Sequence, residues 1–193
     1  MKDLIEIRWH GRGGQGVKTA ALLLADAMVS QGKHVQAFPE YGPERMGAPV
    51  QSFNRFADEK IVVHCGVESP GIVLLLDPTL IGKIDITAGL GEDGKLIINT
   101  TLTPEELREK LELKGAQVFT VDASKISRET IGRDIPNTPM IGALLKVSSL
   151  LPLDVFLKDT EKKLQKKFRH KPEVIKGNLE AIKKAYEEVK GEK

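Results

Sequence analysis

Across residues 4–9 apolar and polar positions alternate, the period of a half-buried strand. The alternation stops at His10-Gly11-Arg12-Gly13-Gly14-Gln15-Gly16, where the glycines exclude regular structure. A helical pattern follows, with Ala20, Leu23, Leu24, Ala27 and Met28 at i, i+3, i+4 spacing and Gly32 as its C-terminal stop. Residues 34–38 read as the next strand. Strand, glycine loop, helix and strand together predict the opening of an α/β fold with a parallel sheet.

Beyond this unit the pattern is less regular. Residues 39–49 hold three prolines and two glycines and read as a loop, with strands expected at 50–56 and 61–64. The continuous apolar run 72–76 suits a parallel strand covered on both faces, and two short strands are expected at 95–99 and 117–121. Between them a helix is announced by Thr103 as N-cap, Pro104 in the first turn and Glu106 completing a capping box. Residues 140–151 read as a buried helix. From Leu153 onward helix formers and charge dominate. Ile175, Leu179, Ile182, Tyr186 and Val189 recur every three or four residues, one stripe of a helix entered through Pro172 that packs on its own domain or on a partner subunit. The expected architecture is a single domain over residues 1–193: an α/β, Rossmann-like three-layer core with a mostly parallel sheet (1–151), then C-terminal helices (152–193).

Composition narrows the function. The 29 basic and 27 acidic residues leave a net charge of only +2, without the basic excess of a dedicated nucleic-acid binder. The basic run 158–171, interrupted by Asp159, Glu161, Leu164 and Phe168, reads as a solvated helix face. Cys65 is the single cysteine, so no internal disulfide, Cys-rich zinc site or four-thiolate iron–sulfur cluster can form within the chain. No metal site is expected. No apolar run is long enough to span a bilayer, and the N-terminus leads straight into a strand without a secretory segment. A cytoplasmic protein with no membrane partner is expected.

The glycine loop carries the strongest candidate chemistry. Gly11-x-Gly13-x-x-Gly16 between a strand and a helix lets backbone N–H groups approach a phosphate at the helix start, and Arg12 and Lys18 could add charge. Two departures separate it from familiar nucleotide loops. Val17 displaces Lys18 by about 100° around the helix from the P-loop position, and the acidic residue expected at the end of the second strand of a dinucleotide site is replaced by Glu40, late and beyond Pro39. A tight strand–helix turn that binds nothing is the alternative. The second candidate is the loop Tyr41-Gly42-Pro43-Glu44-Arg45 with Gly47, long enough to be functional and at the same sheet edge. His10 is a further phosphate candidate. His64 and Cys65 face opposite ways if they share a strand, and Cys65 is expected to be a buried thiol.

Taken together, these segments resemble the gamma subunits of the 2-oxoacid:ferredoxin oxidoreductases, the pyruvate (pyruvate synthase) type most closely. The likeness rests on residues 10–16, on Tyr41-Gly42-Pro43-Glu44-Arg45 with Gly47-Ala48-Pro49, on Leu76-Asp77-Pro78, on Asn137-Thr138-Pro139-Met140-Ile141-Gly142-Ala143 and on the final helix 178–186. The Arg45-x-Gly47-Ala48-Pro49 form is similar to the pyruvate and branched-chain types, which can share a gamma subunit, rather than to the 2-oxoglutarate type. The resemblance implies a hetero-oligomer with alpha, beta and delta subunits. Thiamine diphosphate and Mg2+ on alpha and beta, and iron–sulfur clusters on delta and beta, would convert pyruvate and coenzyme A to acetyl-CoA and CO2 and reduce ferredoxin. The gamma chain itself is expected to hold no catalytic residue. It would bind coenzyme A phosphates through Gly11, Arg12, Gly13, Gly14, Gln15, Gly16 and Lys18, with the loop around Arg45 toward the partner subunit. A structural gamma subunit that uses both loops only for docking is the rival, and a stand-alone NAD- or FAD-binding oxidoreductase is the reading from another class.

Overall fold

The computed structural model describes residues 4–40 and 47–192. Its centre is one seven-stranded sheet: β1 (Ile5–Arg12), β2 (His34–Glu40), β3 (Pro49–Ala57), β4 (Ile72–Leu75), β5 (Lys95–Asn99), β6 (Gln117–Val121) and β7 (Lys190–Gly191). The spatial order is β2-β3-β1-β4-β5-β6-β7. β1, β4, β5 and β6 pair in parallel, whereas β3 runs antiparallel to both β1 and β2, and β7 antiparallel to β6. Five strands therefore point the same way, as expected of a mostly parallel sheet. The unexpected feature is β3, which lies between the two strands of the first β–α–β unit. Asn54 at its middle accepts a hydrogen bond from the Trp9 indole (2.8 Å) and donates to the Ala21 carbonyl (3.0 Å), tying β3 to both β1 and the first helix.

The helices are α1 (Val17–Ser30), α2 (Pro104–Leu111), α3 (Ala123–Ile131), α4 (Asn137–Ser148), α5 (Leu153–Lys167) and α6 (Pro172–Glu188). One sheet face is covered by α1, α3, α4 and α6 with Phe156 of α5, around Ile7, Trp9, Leu74, Leu76 and Ile97. The opposite face carries a thinner layer, where α2 and the segment 80–90 cover Val73, Leu75, Leu96, Ile98 and Val118. The capping box is formed as expected, with the Thr103 side chain accepting from the Glu106 N–H and the Glu106 carboxylate from the Thr103 N–H.

Three sequence expectations need correction. Residues 61–64 form no strand. Their segment crosses the sheet face instead, and its carbonyls accept from side chains: Val63 from Gln36 (2.9 Å), Cys65 and Gly66 from the guanidinium of Arg55 (2.8 and 2.7 Å). With no strand there, Cys65 is not buried but exposed. The stripe on α6 is also rotated from its expected place. Its buried positions are Gly177, Ala181, Ile182 and Ala185, leaving Ile175 and Leu179 half-buried. Close helix contact explains the rotation: a Cβ on Gly142 would fall onto the Ile182 carbonyl, and one on Gly177 onto the Thr130 carbonyl, so small residues define the interface.

Candidate functional site

The carboxyl ends of β1 and β4 meet at the point where the chain turns from one half of the sheet to the other, the usual ligand crevice of an open α/β sheet. Here side chains fill it. The Arg12 guanidinium lies 3.1 Å from the Asp77 carboxylate, donates to the Thr79 hydroxyl (3.0 Å from Nη2) and to the Gly47 carbonyl (2.9 Å). Gln15 accepts from the Arg12 N–H and donates to Asp77, both at 2.8 Å. Asp77 also accepts from the Thr79 N–H and hydroxyl, at 2.9 and 2.6 Å. Burial pushes the Asp77 carboxyl up, but the Thr79 and Gln15 hydrogen bonds and the Arg12 charge outweigh it and hold the group below its ordinary value. Arg12 and Gln15 are thus committed to shaping the loop. Gly13 joins them, its N–H bonded to the Ala48 carbonyl (3.0 Å).

The other side of the same loop is open. Gly16 precedes α1 in the left-handed region (φ 79°), and among the described residues no side chain caps the helix. The N–H groups of its first turn have no partner within the helix and carry the positive end of its dipole. They border a cleft of about 180 Å3 lined by Gly13, Gly14, Gly16, Lys18, Glu40 and Gln51, among others. A Cβ on Gly16 would lie 2.5 Å from the Asn137 amide nitrogen, and one on Gly11 2.5 Å from the Val17 side chain, so a larger residue at either position forces its neighbour to move. Lys18 is exposed at the mouth.

Gly11, Arg12, Gly13, Gly14, Gln15, Gly16, Lys18 and Gly47 are thereby brought to one sheet edge. Tyr41, Gly42, Pro43, Glu44 and Arg45 lie outside the described residues. His10 is not at the mouth: it is buried on β1, 1% exposed, and accepts from Arg8 Nε at 2.9 Å. Burial and the neighbouring Arg8 charge lower its pKa to about 4, against an opposing pull from Asp85, so it is neutral at pH 7. Sequence reasoning missed Thr79 and Asn137 as neighbours of the loop. The only signal was the turn-forming Asp77-Pro78-Thr79, since an Asp two residues before a backbone N–H commonly accepts from it.

The pyruvate ferredoxin/flavodoxin oxidoreductase family model matches residues 6–188. The chain is 49% identical over 189 residues to the pyruvate synthase subunit PorC of Thermotoga maritima, covering 98% of this chain and 96% of that protein. It is 43% identical over 184 residues to the pyruvate/ketoisovalerate oxidoreductases common subunit gamma of Thermococcus litoralis, covering 95% and 96%. The crystal structure of the pyruvate oxidoreductase subunit PORC of Thermotoga maritima has the same fold, with a TM-score of 0.85 at 45% identity over 98% of this chain and 99% of that one. A 2-oxoglutarate:ferredoxin oxidoreductase from Magnetococcus marinus shares the fold at 20% identity (TM-score 0.73), over 96% of this chain and 31% of that one.

Proposed function

The chain belongs to the pyruvate ferredoxin/flavodoxin oxidoreductase family as a gamma subunit of a multi-subunit pyruvate:ferredoxin oxidoreductase, and from that premise we propose that it helps bind coenzyme A and closes over the active site of its partners. The observation that carries this reading is the uncapped start of α1 behind Gly16, facing a phosphate-sized cleft. Donor groups and dipole there favour a pyrophosphate, with Lys18 placed to add charge. Gly11, Arg12, Gly13, Gln15 and Gly47 serve by holding the loop, Gly14 and Gly16 by letting the ligand approach. The segment Tyr41 to Arg45, between Glu40 and Gly47, is assigned to contact with the partner subunit.

With a single cysteine the chain cannot ligate a four-thiolate cluster by itself, which agrees with clusters carried by other subunits. As the family resemblance implies, thiamine diphosphate with Mg2+ would sit on alpha and beta and the clusters on beta and delta, with ferredoxin meeting the complex through them. Cytoplasmic placement is part of the same reading, and no helix of the described residues is long and apolar enough to cross a membrane. The likeness to the common gamma subunit of Thermococcus litoralis favours a second role, service to a branched-chain 2-oxoacid enzyme.

The test is Lys18→Glu in the assembled enzyme. The Michaelis constant for coenzyme A should rise about tenfold or more, as expected for loss of a charge-assisted phosphate contact, while that for pyruvate holds. An unchanged coenzyme A constant in a complex of normal composition would leave the subunit a docking scaffold, the role that the filled crevice at Arg12 and Asp77 favours.

A further inference from the structure

A large cavity lies away from the glycine loop, on the helical face. It is a bowl of about 700 Å3 whose walls are α1, the turn between α5 and α6, and the connection from α3 to α4. Its floor is Thr138 and Ile141 of α4 with Asn178 of α6. Thr138 and Ile141 are buried, and the polar floor is satisfied internally, with the Thr138 hydroxyl donating to Asn178 at 2.9 Å and the Asn178 amide to the Val174 carbonyl at 2.7 Å. The size is that of a small-molecule site.

Two features of the lining point to its ligand. Leu23, Ile131, Leu164 and Phe168 are half-buried and make an apolar wall that no described residue covers fully. Around them stand Arg133, Lys163, Lys167 and Lys171, against Asp26 as the only acid of the lining. Lys163 is spent, bound to Asp159 at 2.7 Å and 3.7 Å from Asp26. Arg133 and Lys171 have no carboxylate partner among the described residues, and Lys167 lies only against the Phe168 ring, 5.5 Å from its centroid. Three cations without a carboxylate partner among the described residues, beside a half-buried apolar wall, match a ligand with an apolar body and a multiply charged anionic head.

We propose that this bowl is a second binding site, for a phosphorylated organic molecule with an apolar body. Arg133, Lys167 and Lys171 hold the phosphate and the wall of Leu23, Ile131, Leu164 and Phe168 takes the body. The site is independent of the coenzyme A reading at the glycine loop.

The experiment is calorimetric titration of the full chain with hexyl phosphate and, separately, with inorganic phosphate and hexanol. Hexyl phosphate should bind one per chain, about tenfold or more tighter than either half alone, because charge and apolar contact both contribute. The double variant Arg133→Glu/Lys167→Glu should lose at least about tenfold in hexyl phosphate affinity with an unchanged circular dichroism melt. Lys18→Glu should leave that affinity intact. Equal binding of inorganic phosphate, or an unaltered affinity in the double variant, overturns the site. So does loss of hexyl phosphate binding in Lys18→Glu, which would move the ligand to the glycine loop. Failure of the coenzyme A reading shows only in the Michaelis constant of the assembled enzyme, so the two can fail separately.

Discussion

The two sides of the glycine loop are built from opposite materials. Toward β4, side chains do the work: Arg12, Gln15, Asp77 and Thr79 bond to one another and leave few groups for a ligand. Toward β2 and β3, the main chain does it, through a left-handed Gly16 and an uncapped helix start. A motif of seven residues is thus divided into those that set a shape and those that present it. The residue types alone do not reveal the division, because arginine is a common phosphate ligand and equally good at bridging a carboxylate and a carbonyl.

Gly16→Val breaks the open side outright. A side chain in the left-handed region costs about 1–2 kcal/mol and overpacking against Asn137 about 1–3 kcal/mol more. Thermal melting should fall by about 10 °C for a chain of this size, and a melt within a degree or two of the natural chain would show that the loop is not pinned there.

The closed side continues down β1, where Arg8, His10 and Arg12 alternate onto one face. Because the folded pKa of His10 is depressed, from 6.5 to about 4, the unfolded chain takes up its proton first as pH falls. This contribution is fully present above pH 6.5 and is lost on the way down to about 4, a loss of at most about 3 kcal/mol. Denaturant titrations should show that slope in the natural chain and a flatter one in His10→Gln. Identical slopes would mean that His10 is protonated within the fold.

Arg12→Ala should give the smallest change and the sharpest one. Removing the bridge to Asp77, Thr79 and Gly47 is expected to cost about 1–2 kcal/mol of stability, while the Michaelis constant for coenzyme A moves less than in Lys18→Glu. The reverse order in the assembled enzyme would make Arg12 a ligand contact and erase the distinction between the two sides.

What could be read in advance follows the range of the interactions. The capping box of Thr103 and Glu106 and the entry of α6 at Pro172 are local, and both stand where the sequence puts them. The glycine loop was legible as a strand-to-helix turn, but the partner of Arg12 is 65 positions away and no spacing rule reaches it. Residues 61–64 look like a strand by apolar content, yet a strand needs a pairing edge, and here Gln36 claims the Val63 carbonyl while Arg55 holds those of Cys65 and Gly66 just beyond. The rotation of the α6 stripe has the same origin: burial went to the small residues that let helices touch, Gly177 and Ala181, rather than to the largest apolar ones. Absence of side-chain bulk is a weak signal in a hydrophobic pattern.

The insertion of β3 between β2 and β1 also bears on how the molecule assembles and opens. β2 belongs by sequence to the first β–α–β unit, yet its backbone joins the sheet only through β3, which is made later in the chain. The first crossover cannot close when its own residues are complete; it waits for residues 49–57. In the native molecule β2 can part from the sheet by giving up its single ladder with β3, leaving the parallel ladders of β1, β4, β5 and β6 intact. The edge that carries Glu40 is in this sense a flap, hinged on one strand of opposite direction, beside a parallel core whose own ladders do not involve it.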